Sequence, residues 1–322
     1  MISDFNNRKI IVTGAAGFIG SNLTDAFLEL GAQVIGIDNL FNGDLNNLEN
    51  AQKNPNFIFY KEDIRNYSFL LEVCRDVDII YHEAAFASVI DSIDNPFLCN
   101  DININGTLNI LESARSNNVK TIVFASSAAV YGETETLPVR EIMKPVPISP
   151  YAVSKLACEN YLYTYFKLYG LNTISLRYMN VYGPRQDLSP DTGVITKWIK
   201  NIYNNDDLII YGDGEQTRDF IHINDVVNAN IIAGTIKNIS GDFFNIGTGI
   251  STTINELANL MIKICGRNNI KIKYESPRIG DIKEDSADIN KAKKILKFEP
   301  NYDIRSGLIN YNEWFKNNYD SL

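Results

Sequence analysis

The segment that decides the fold is Thr13-Gly14-Ala15-Ala16-Gly17-Phe18-Ile19-Gly20, which follows the apolar run Lys9–Thr13. Its glycines have the spacing G-x-x-G-x-x-G. Glycine allows a sharp turn and a close approach of the backbone to a pyrophosphate, and the N-terminus of a following helix offers free N–H groups to that anion. The segment predicts a strand, a dinucleotide-binding turn and a helix. By its spelling alone it could also be an ordinary tight turn.

Asp38 supports the dinucleotide interpretation. It ends the next apolar run, Gln33–Asp38, and lies 18 residues after Gly20. A carboxylate at about this spacing accepts hydrogen bonds from the adenosine ribose and repels the 2′-phosphate of NADP. The alternative is a turn residue at the end of a strand. With the glycine turn before it, Asp38 predicts NAD as the cofactor, and Asp63, which follows the third apolar run, is expected near the adenine.

Short β-branched runs alternate with helix-length segments in the first half of the chain. Strands are predicted at 9–13, 33–38, 56–60, 78–82, 121–125 and 172–177, and helices at 18–30, 67–74, 96–117 and 151–169. Apolar strands separated by helices belong in a parallel sheet that is covered on both faces. The predicted fold class is therefore α/β, with a doubly wound, Rossmann-like parallel sheet.

The pattern loosens after Tyr178. Turn-rich stretches are interrupted by predicted helices at 192–203, 224–235, 253–265 and 289–297. A chain of 322 residues exceeds the usual size of one domain. We expect residues 1–178 to form the NAD-binding domain with the catalytic residues. Residues 179–322 are expected to form mainly a smaller α/β substrate-binding cap, with some segments returning to the first domain.

Charge and cysteine content exclude several classes of protein. The formal net charge of −9 argues against a nucleic-acid partner, because phosphate backbones bind clustered Lys and Arg. The four cysteines lie far apart, so we expect reduced thiols and no metal site. The polar first nine residues lead directly into a strand, without the long apolar stretch of a signal peptide or membrane span. We therefore expect a cytoplasmic protein with no membrane partner.

Tyr151 and Lys155 are the first candidates for catalysis. They lie four residues apart at the start of a predicted helix, so both project from one face. An ammonium beside a phenol favours the phenolate, which can take a proton from a hydroxyl group. Alone, Y-x-x-x-K is a common surface pair. Ser126 and Ser127 directly follow the predicted strand at 121–125, at the sheet edge where ligands bind in this fold. Alternatively, these serines only terminate the strand.

These motifs together carry a resemblance that runs through nearly the whole chain. The chain resembles the extended short-chain dehydrogenase/reductase family of NAD-dependent epimerase/dehydratase type, and most of all its UDP-glucose (UDP-galactose) and UDP-N-acetylglucosamine 4-epimerases. Beyond the glycine turn, the matching segments are His82-Glu83-Ala84-Ala85, Asn103 with Gly106-Thr107, Ser126-Ser127-Ala128-Ala129-Val130-Tyr131-Gly132, Ser149-Pro150-Tyr151 to Lys155, Leu176-Arg177-Tyr178-Met179-Asn180-Val181-Tyr182-Gly183-Pro184-Arg185-Gln186, Gly212-Asp213-Gly214, Thr217-Arg218-Asp219-Phe220 and Arg278-Ile279-Gly280-Asp281.

The resemblance implies a UDP-hexose 4-epimerase, an isomerase that works through a 4-keto intermediate. It assigns Tyr151 as the acid/base, Lys155 as its electrostatic partner and nicotinamide-ribose ligand, and Ser127 as the contact to sugar oxygen-4. Hydride leaves carbon-4 for NAD and returns to the opposite face of the turned sugar. The resemblance also implies a homodimer through the helices predicted at 96–117 and 151–169.

The resemblance further assigns residues to the two ligands. The predicted NAD site comprises Gly14, Gly17, Phe18, Ile19, Gly20, Asp38, Asn39, Asp63, Ile64, Ala84, Ala85, Asn103, Ser126, Tyr151 and Lys155. The predicted UDP-sugar site comprises Ser88, Ser127, Tyr151, Asn180, Arg185, Arg218, Arg278, Asp281 and Asp285. Of these, Arg218 and Arg278 are assigned to the diphosphate, and Asp285 to a gate beside the sugar's 2-substituent.

One departure from related enzymes narrows the reaction. Relatives that dehydrate the sugar carry Asp-Glu directly after the catalytic hydroxyl residue, where this chain has Ala128-Ala129. Methyl groups cannot carry protons, which disfavours a 4,6-dehydratase, and the missing glutamate also disfavours a decarboxylase. A UDP-glucuronate 4-epimerase or a keto-sugar reductase stays an alternative. A non-catalytic NAD-sensing regulator is disfavoured because Tyr151, Lys155 and Ser127 are all present.

Overall fold

The computed structural model describes residues 5–134, 136–187, 193–237, 239–277 and 283–318. In chain order its strands are β1 (Lys9–Thr13), β2 (Gln33–Asp38), β3 (Phe57–Lys61), β4 (Ile79–His82), β5 (Thr121–Ser127), β6 (Asn172–Tyr178), β7 (Asn180–Tyr182), β8 (Leu208–Tyr211), β9 (Thr217–Arg218), β10 (Phe220–His222), β11 (Asp242–Ile246), β12 (Thr252–Thr253) and β13 (Ile272–Glu275).

The helices are α1 (Phe18–Glu29), α2 (Glu49–Gln52), α3 (Tyr67–Val73), α4 (Val89–Asp94), α5 (Pro96–Asn100), α6 (Gly106–Ser116), α7 (Pro150–Tyr169), α8 (Val194–Tyr203), α9 (Ile223–Thr235), α10 (Ile254–Cys265) and α11 (Ile304–Asn318). Shorter helical turns lie at Leu45–Leu48, Asp101–Asn105, Ala128–Tyr131 and Ala292–Leu296. In the part of the chain that the structure describes, no helix is long and apolar enough to cross a membrane.

Within these residues the largest sheet has seven parallel strands in the order β11-β6-β5-β4-β1-β2-β3. Helices α1 and α9 pack together on one side of it, and α3, α6 and α7 form the other layer. Because both faces are covered, the central strands are apolar through their length, as Ile10, Ile11 and Val12 show in β1. The predicted doubly wound parallel sheet is confirmed.

The strand order reverses between β1 and β4, which opens a crevice at their carboxyl ends. The glycine turn follows β1 there, and its shape depends on the missing side chains. Gly14 has a φ of +66°, and a Cβ on it would lie 2.8 Å from the backbone nitrogen of Ala84. A Cβ on Gly20 would lie 2.1 Å from the carbonyl oxygen of Gly14. Side chains at these positions would therefore close the crevice or displace α1.

A separate cluster of buried side chains lies outside the central sheet. It includes Tyr182, Trp198, Ile254 and Phe315, which join α8, α10 and α11 to the small parallel sheet of β8 and β13. Helix α10 begins with a capping box, in which Thr253 and Glu256 each bind the other's backbone N–H. This cluster supports the segments that carry Asn180 and Arg218.

Several predicted elements need correction. Strand β5 continues through Ser127, so the serine pair belongs to the strand and does not follow it. The helix predicted at 96–117 contains a π-helical turn, Asp101–Asn105, between α5 and α6. The segment predicted as a helix at 289–297 contains the π-helical turn Ala292–Leu296. The sequence pattern predicted neither strands β7 to β13 nor helices α2, α4 and α11.

Candidate active site

A cavity of about 550 Å³ lies at the carboxyl edge of the central sheet, above the crevice between β1 and β4. It brings together the predicted cofactor residues other than Asn103: Gly14, Gly17, Phe18, Ile19, Gly20, Asp38, Asn39, Asp63, Ile64, Ala84, Ala85, Ser126, Tyr151 and Lys155. Ser88, predicted for the sugar site, also lines this cavity, where its hydroxyl caps α4 by accepting the N–H of Asp91 at 3.0 Å.

The end of this cavity at β2 is acidic. The carboxylate of Asp38 accepts the backbone N–H groups of Ala16 at 3.0 Å and Leu40 at 2.7 Å. Burial raises the pKa of Asp38, and these two hydrogen bonds oppose that effect. Asp63 accepts a hydrogen bond from Asn39 at 2.8 Å, and its hydrogen bonds with Arg65 lower its pKa to about 2. One side of the cavity is the backbone of the glycine turn, which suits a pyrophosphate, and the other side carries fixed carboxylates, which suit a ribose. This arrangement suits a dinucleotide.

The first two turns of α7 carry Tyr151 and Lys155 into the same cavity. Ser149 caps this helix by accepting the N–H of Ala152 at 3.2 Å, and Pro150 occupies its first position. The buried ammonium of Lys155 donates to the carbonyl oxygen of Ala125 at 2.7 Å and lies 5.7 Å from the centre of the Tyr151 ring. A fixed cation therefore lies beside a half-buried phenol at the end of β5.

The two serines at the end of β5 have different surroundings. The hydroxyl of Ser126 donates to the Glu159 carboxylate at 2.5 Å, so its oxygen is left to accept a hydrogen bond in the cavity. Ser127 is half-buried, and its hydroxyl accepts the N–H of Ala129 at 3.1 Å. Ser126 lines the cavity. Ser127, the predicted contact to sugar oxygen-4, is the next residue along the chain and is not in the lining.

A second cavity, of about 280 Å³, adjoins the first and shares Gln186 and Gly193 with it. Asn180 and Arg218 line this second cavity. Next to them, Asp285 accepts a hydrogen bond from the side-chain nitrogen of Asn180 at 2.8 Å. Burial raises the pKa of Asp285, while Asn180 and the charge of Arg218 act to lower it. The structure thus brings three of the predicted substrate residues together.

Other predicted residues lie elsewhere. The guanidinium of Arg185 forms an ion pair with Asp25 of α1 at 2.5 Å, and Arg185 is in neither cavity lining. Asn103 is buried behind the cavity, where its side chain accepts the N–H of Phe86 at 2.7 Å and donates to Ser154 at 2.8 Å. It therefore ties the loop after β4 to α7. Arg278 and Asp281 lie outside the described residues.

The motifs contain two cavity residues that were not assigned a role. The carboxylate of Glu83 lies 3.1 Å from the hydroxyl of Tyr178, which also accepts a hydrogen bond from Asn230 at 2.8 Å. Burial raises the pKa of Glu83 to about 7. Both residues stand at strand ends in motifs quoted above, and this position was the signal that could have identified them.

The chain has two histidines, and both are buried within polar contacts. The ring nitrogens of His82 lie 2.8 Å from the hydroxyl of Thr13 and 3.0 Å from that of Thr107. The ring of His222 accepts the N–H of Asn224 at 3.3 Å and so caps α9. Burial lowers the pKa of His82 to about 3 and that of His222 to about 4.

We expect both imidazoles to stay neutral between pH 5 and pH 8. Each pKa is lower in the folded state than the ordinary 6.5, so the unfolded chain takes up protons first as the pH falls. The stability that comes from the two neutral histidines is complete above pH 6.5; it is lost between pH 6.5 and about 4 for His222 and between pH 6.5 and about 3 for His82. Histidine ring resonances followed by NMR against pH test this, and a titration midpoint above pH 6 for either ring would contradict it.

Residues 10–247 match the NAD dependent epimerase/dehydratase family. This match spans most of the chain, and the chain belongs to that family. It is an NAD-dependent isomerase of the family's UDP-sugar 4-epimerase group. The predicted family and cofactor are therefore confirmed.

Two solved structures and one curated protein show how close the likeness is. The UDP-N-acetylglucosamine 4-epimerase of Methanobrevibacter ruminantium M1, solved with UDP-N-acetylmuramic acid, is 38% identical with a TM-score of 0.93 over 97% of this chain and 99% of that one. The UDP-glucose 4-epimerase of Thermotoga maritima, solved with UDP-glucose, is 37% identical with a TM-score of 0.91 over the same shares. The UDP-glucuronate 4-epimerase of Thermodesulfobacterium geofontis is 37% identical over 97% of both chains.

Proposed function

We propose that this enzyme inverts carbon-4 of a UDP-hexose through a 4-keto intermediate. The observation that carries the proposal is the placement of Tyr151 and Lys155 in the cavity of the glycine turn, beside a second cavity that holds Asn180 and Arg218. One cavity suits the cofactor and the other suits the nucleotide of the substrate. The sugar would then lie where the two cavities meet, near the end of β5.

In this proposal Tyr151 takes the proton of the 4-hydroxyl group and later returns it. Bound NAD supplies the acceptor for the hydride of carbon-4. The Lys155 ammonium stabilises the phenolate of Tyr151, and Ser127 orients oxygen-4. Ala128 and Ala129 form a short helical turn directly after Ser127, and their methyl groups can carry no proton for dehydration.

The nucleotide is assigned to the second cavity because of its mixed lining. Trp198, Tyr211 and Phe220 supply apolar and aromatic surface, and Arg218 supplies a cation. A guanidinium binds phosphate oxygens with paired N–H donors, and at contact its local field outweighs a net charge of −9. UDP therefore fits this cavity with its diphosphate towards Arg218.

A substrate panel tests the reaction. The purified NAD-loaded protein is incubated separately with UDP-glucose, UDP-N-acetylglucosamine and UDP-glucuronate, and the released sugars are identified. We expect the 4-epimers of UDP-glucose and UDP-N-acetylglucosamine. Dehydrated or decarboxylated sugar would overturn the epimerase proposal, as would three unchanged substrates. Epimerised glucuronate alone would keep the reaction and correct the substrate.

Asp285 is proposed to determine the response to the sugar's 2-substituent. A carboxylate is small enough to leave room for an acetamido group, and it accepts a hydrogen bond from an N–H or a hydroxyl. We expect Asp285→Tyr to lower kcat/KM for UDP-N-acetylglucosamine much more than for UDP-glucose, because the larger side chain fills that space. Asp285→Ser serves as the small control. An unchanged ratio of the two kcat/KM values in the tyrosine variant would contradict the gate.

We also propose that the enzyme is a homodimer through α5 and α7. Phe97 on α5 is 91% exposed, and Ile93, Val153 and Tyr161 leave further apolar surface on α4 and α7. Large apolar side chains exposed together indicate a contact surface, and a second copy of the chain would bury the same patch on both molecules. Light scattering of the purified protein tests this, and a monomer at working concentration would contradict it.

A further inference from the structure

Asp219 has no assigned role, yet its buried carboxylate binds two separate segments of the chain. One oxygen accepts the backbone N–H of Thr248 at 2.8 Å and the hydroxyl of the same residue at 2.6 Å. The other oxygen accepts the N–H of Gly249 at 2.9 Å and that of Ala287 at 3.4 Å. Burial raises the pKa of Asp219, and these donors oppose that effect.

The two segments belong to different parts of the molecule. Thr248 and Gly249 follow β11, the edge strand of the central sheet. Ala287 lies two residues after Asp285, beside the second cavity. The Asp219 carboxylate therefore links the carboxyl edge of the central sheet to the segment that carries Asp285.

The backbone of Asp219 extends the same link. It directly follows Arg218 in the chain, and its carbonyl oxygen accepts both the backbone N–H of Asn180 at 3.0 Å and the Asn180 side chain at 3.2 Å. Asn180, Arg218 and Asp285 come from segments far apart in sequence, and each is held next to Asp219. Packing is tight here, since a Cβ on Gly247 would lie 2.7 Å from the Asp219 carboxylate.

We propose that Asp219 is a positioning residue for the substrate. It sets where Asn180, Arg218 and Asp285 stand relative to the end of the central sheet, where Tyr151 and Lys155 act. A buried carboxylate that receives several N–H and O–H donors holds them in one arrangement, because each donor loses this hydrogen bond if its segment moves. This inference rests on the proposed assignment of the second cavity to UDP.

The test variant is Asp219→Asn, which keeps the size of the side chain. A carboxamide has only one acceptor oxygen. Its NH₂ group would face N–H or O–H donors whose hydrogen bonds the second carboxylate oxygen now accepts. We expect the affinity for UDP to fall, and the KM for the UDP-sugar to rise, by about tenfold or more, because buried donors are left unpaired next to the site. The kcat at saturation and the amount of bound NAD should stay close to wild type.

Asp225→Asn is the matched control. Asp225 is also fully buried, and it accepts the backbone N–H groups of Asn301 at 2.8 Å and Tyr302 at 3.1 Å. It lines neither cavity. We expect this variant to lose thermal stability as Asp219→Asn does but to bind UDP like wild type. Equal losses of UDP affinity in the two variants would show a merely structural role and would overturn the proposal.

Thr248 provides a second test if Asp219→Asn does not fold. Thr248→Val removes one hydroxyl donor from the carboxylate, and Thr248→Ser keeps it. We expect weaker UDP binding in the valine variant and recovery in the serine variant. If wild type binds UDP and all these variants bind it equally well, the role of Asp219 is refuted. If wild type does not bind UDP, the proposed function itself fails.

Discussion

Tyr151→Phe is expected to lower turnover by about a hundredfold to ten-thousandfold, the usual contribution of a positioned acid/base. The substitution removes one hydroxyl group and leaves the ring on α7. The glycine turn and Asp38 lie at other parts of the cavity, so the bound NAD should be retained. Lys155 keeps its hydrogen bond to the carbonyl of Ala125, and the ammonium stays in place.

Two measurements separate this result from a general loss of structure. Epimer formation is followed under saturating substrate, and bound NAD is released by denaturation and quantified. Tyr163→Phe is the control, because it removes the same hydroxyl from an exposed position of the same helix. That variant should turn over like wild type. Activity above a tenth of wild type in Tyr151→Phe would refute the acid/base assignment.

The central sheet could be predicted where the signal is local. Lys9–Thr13 and Gln33–Asp38 are apolar runs with clear ends, and the structure has both strands with the predicted bounds. The glycine turn was predictable for the same reason, because its chemistry lies within eight consecutive residues. A strand extended by two residues, as at Ser126 and Ser127, depends on pairing with β6 and not on local composition.

Two of the missed elements show why distant partners matter. β11, Asp242–Ile246, is five residues long and pairs with β6, which lies about 70 residues earlier in the chain. Nothing in five residues reveals such a partner. Helix α11 contains Gly307 and several asparagines, which are weak helix formers. Its buried face, with Leu308, Tyr311 and Phe315, stabilises it through packing.

The site was predictable as a set of motifs but not as a set of side-chain directions. Arg185 belongs to a motif beside the second cavity, yet its backbone has a φ of +70° and its guanidinium pairs with Asp25. Glu83 and Tyr178 are 95 residues apart in sequence and meet only because β4 and β6 end at the same sheet edge. Such pairings follow from topology, which local patterns do not contain.

The largest effect on stability is expected from Glu159→Gln. Glu159 on α7 and Arg177 on β6 form a buried ion pair, with two hydrogen bonds of 2.9 and 2.6 Å, and their side chains are only 5% and 1% exposed. The Arg177 guanidinium also lies 3.9 Å from the centre of the Phe243 ring. The pair therefore joins α7 to two strands of the central sheet.

Glutamine keeps the shape of the side chain but leaves the guanidinium without its counter-charge. Removing one partner of a buried ion pair costs about 3–5 kcal/mol, because the remaining charge is desolvated and uncompensated. The free energy of unfolding, measured by denaturant titration at saturating NAD, should fall by this amount. Ser126 would also lose its carboxylate acceptor, so a smaller loss of activity should accompany the change.

Two controls test whether the unpaired charge is the cause. The double variant Glu159→Leu/Arg177→Met removes both charges and fills similar space, and it should be more stable than Glu159→Gln, because apolar side chains often replace buried ion pairs without loss. Glu49→Gln breaks the exposed pair with Lys53 and should leave stability unchanged within error, since solvent already screens it. If the double variant were as unstable as Glu159→Gln, lost packing or hydrogen bonding would explain the effect and the uncompensated charge would not.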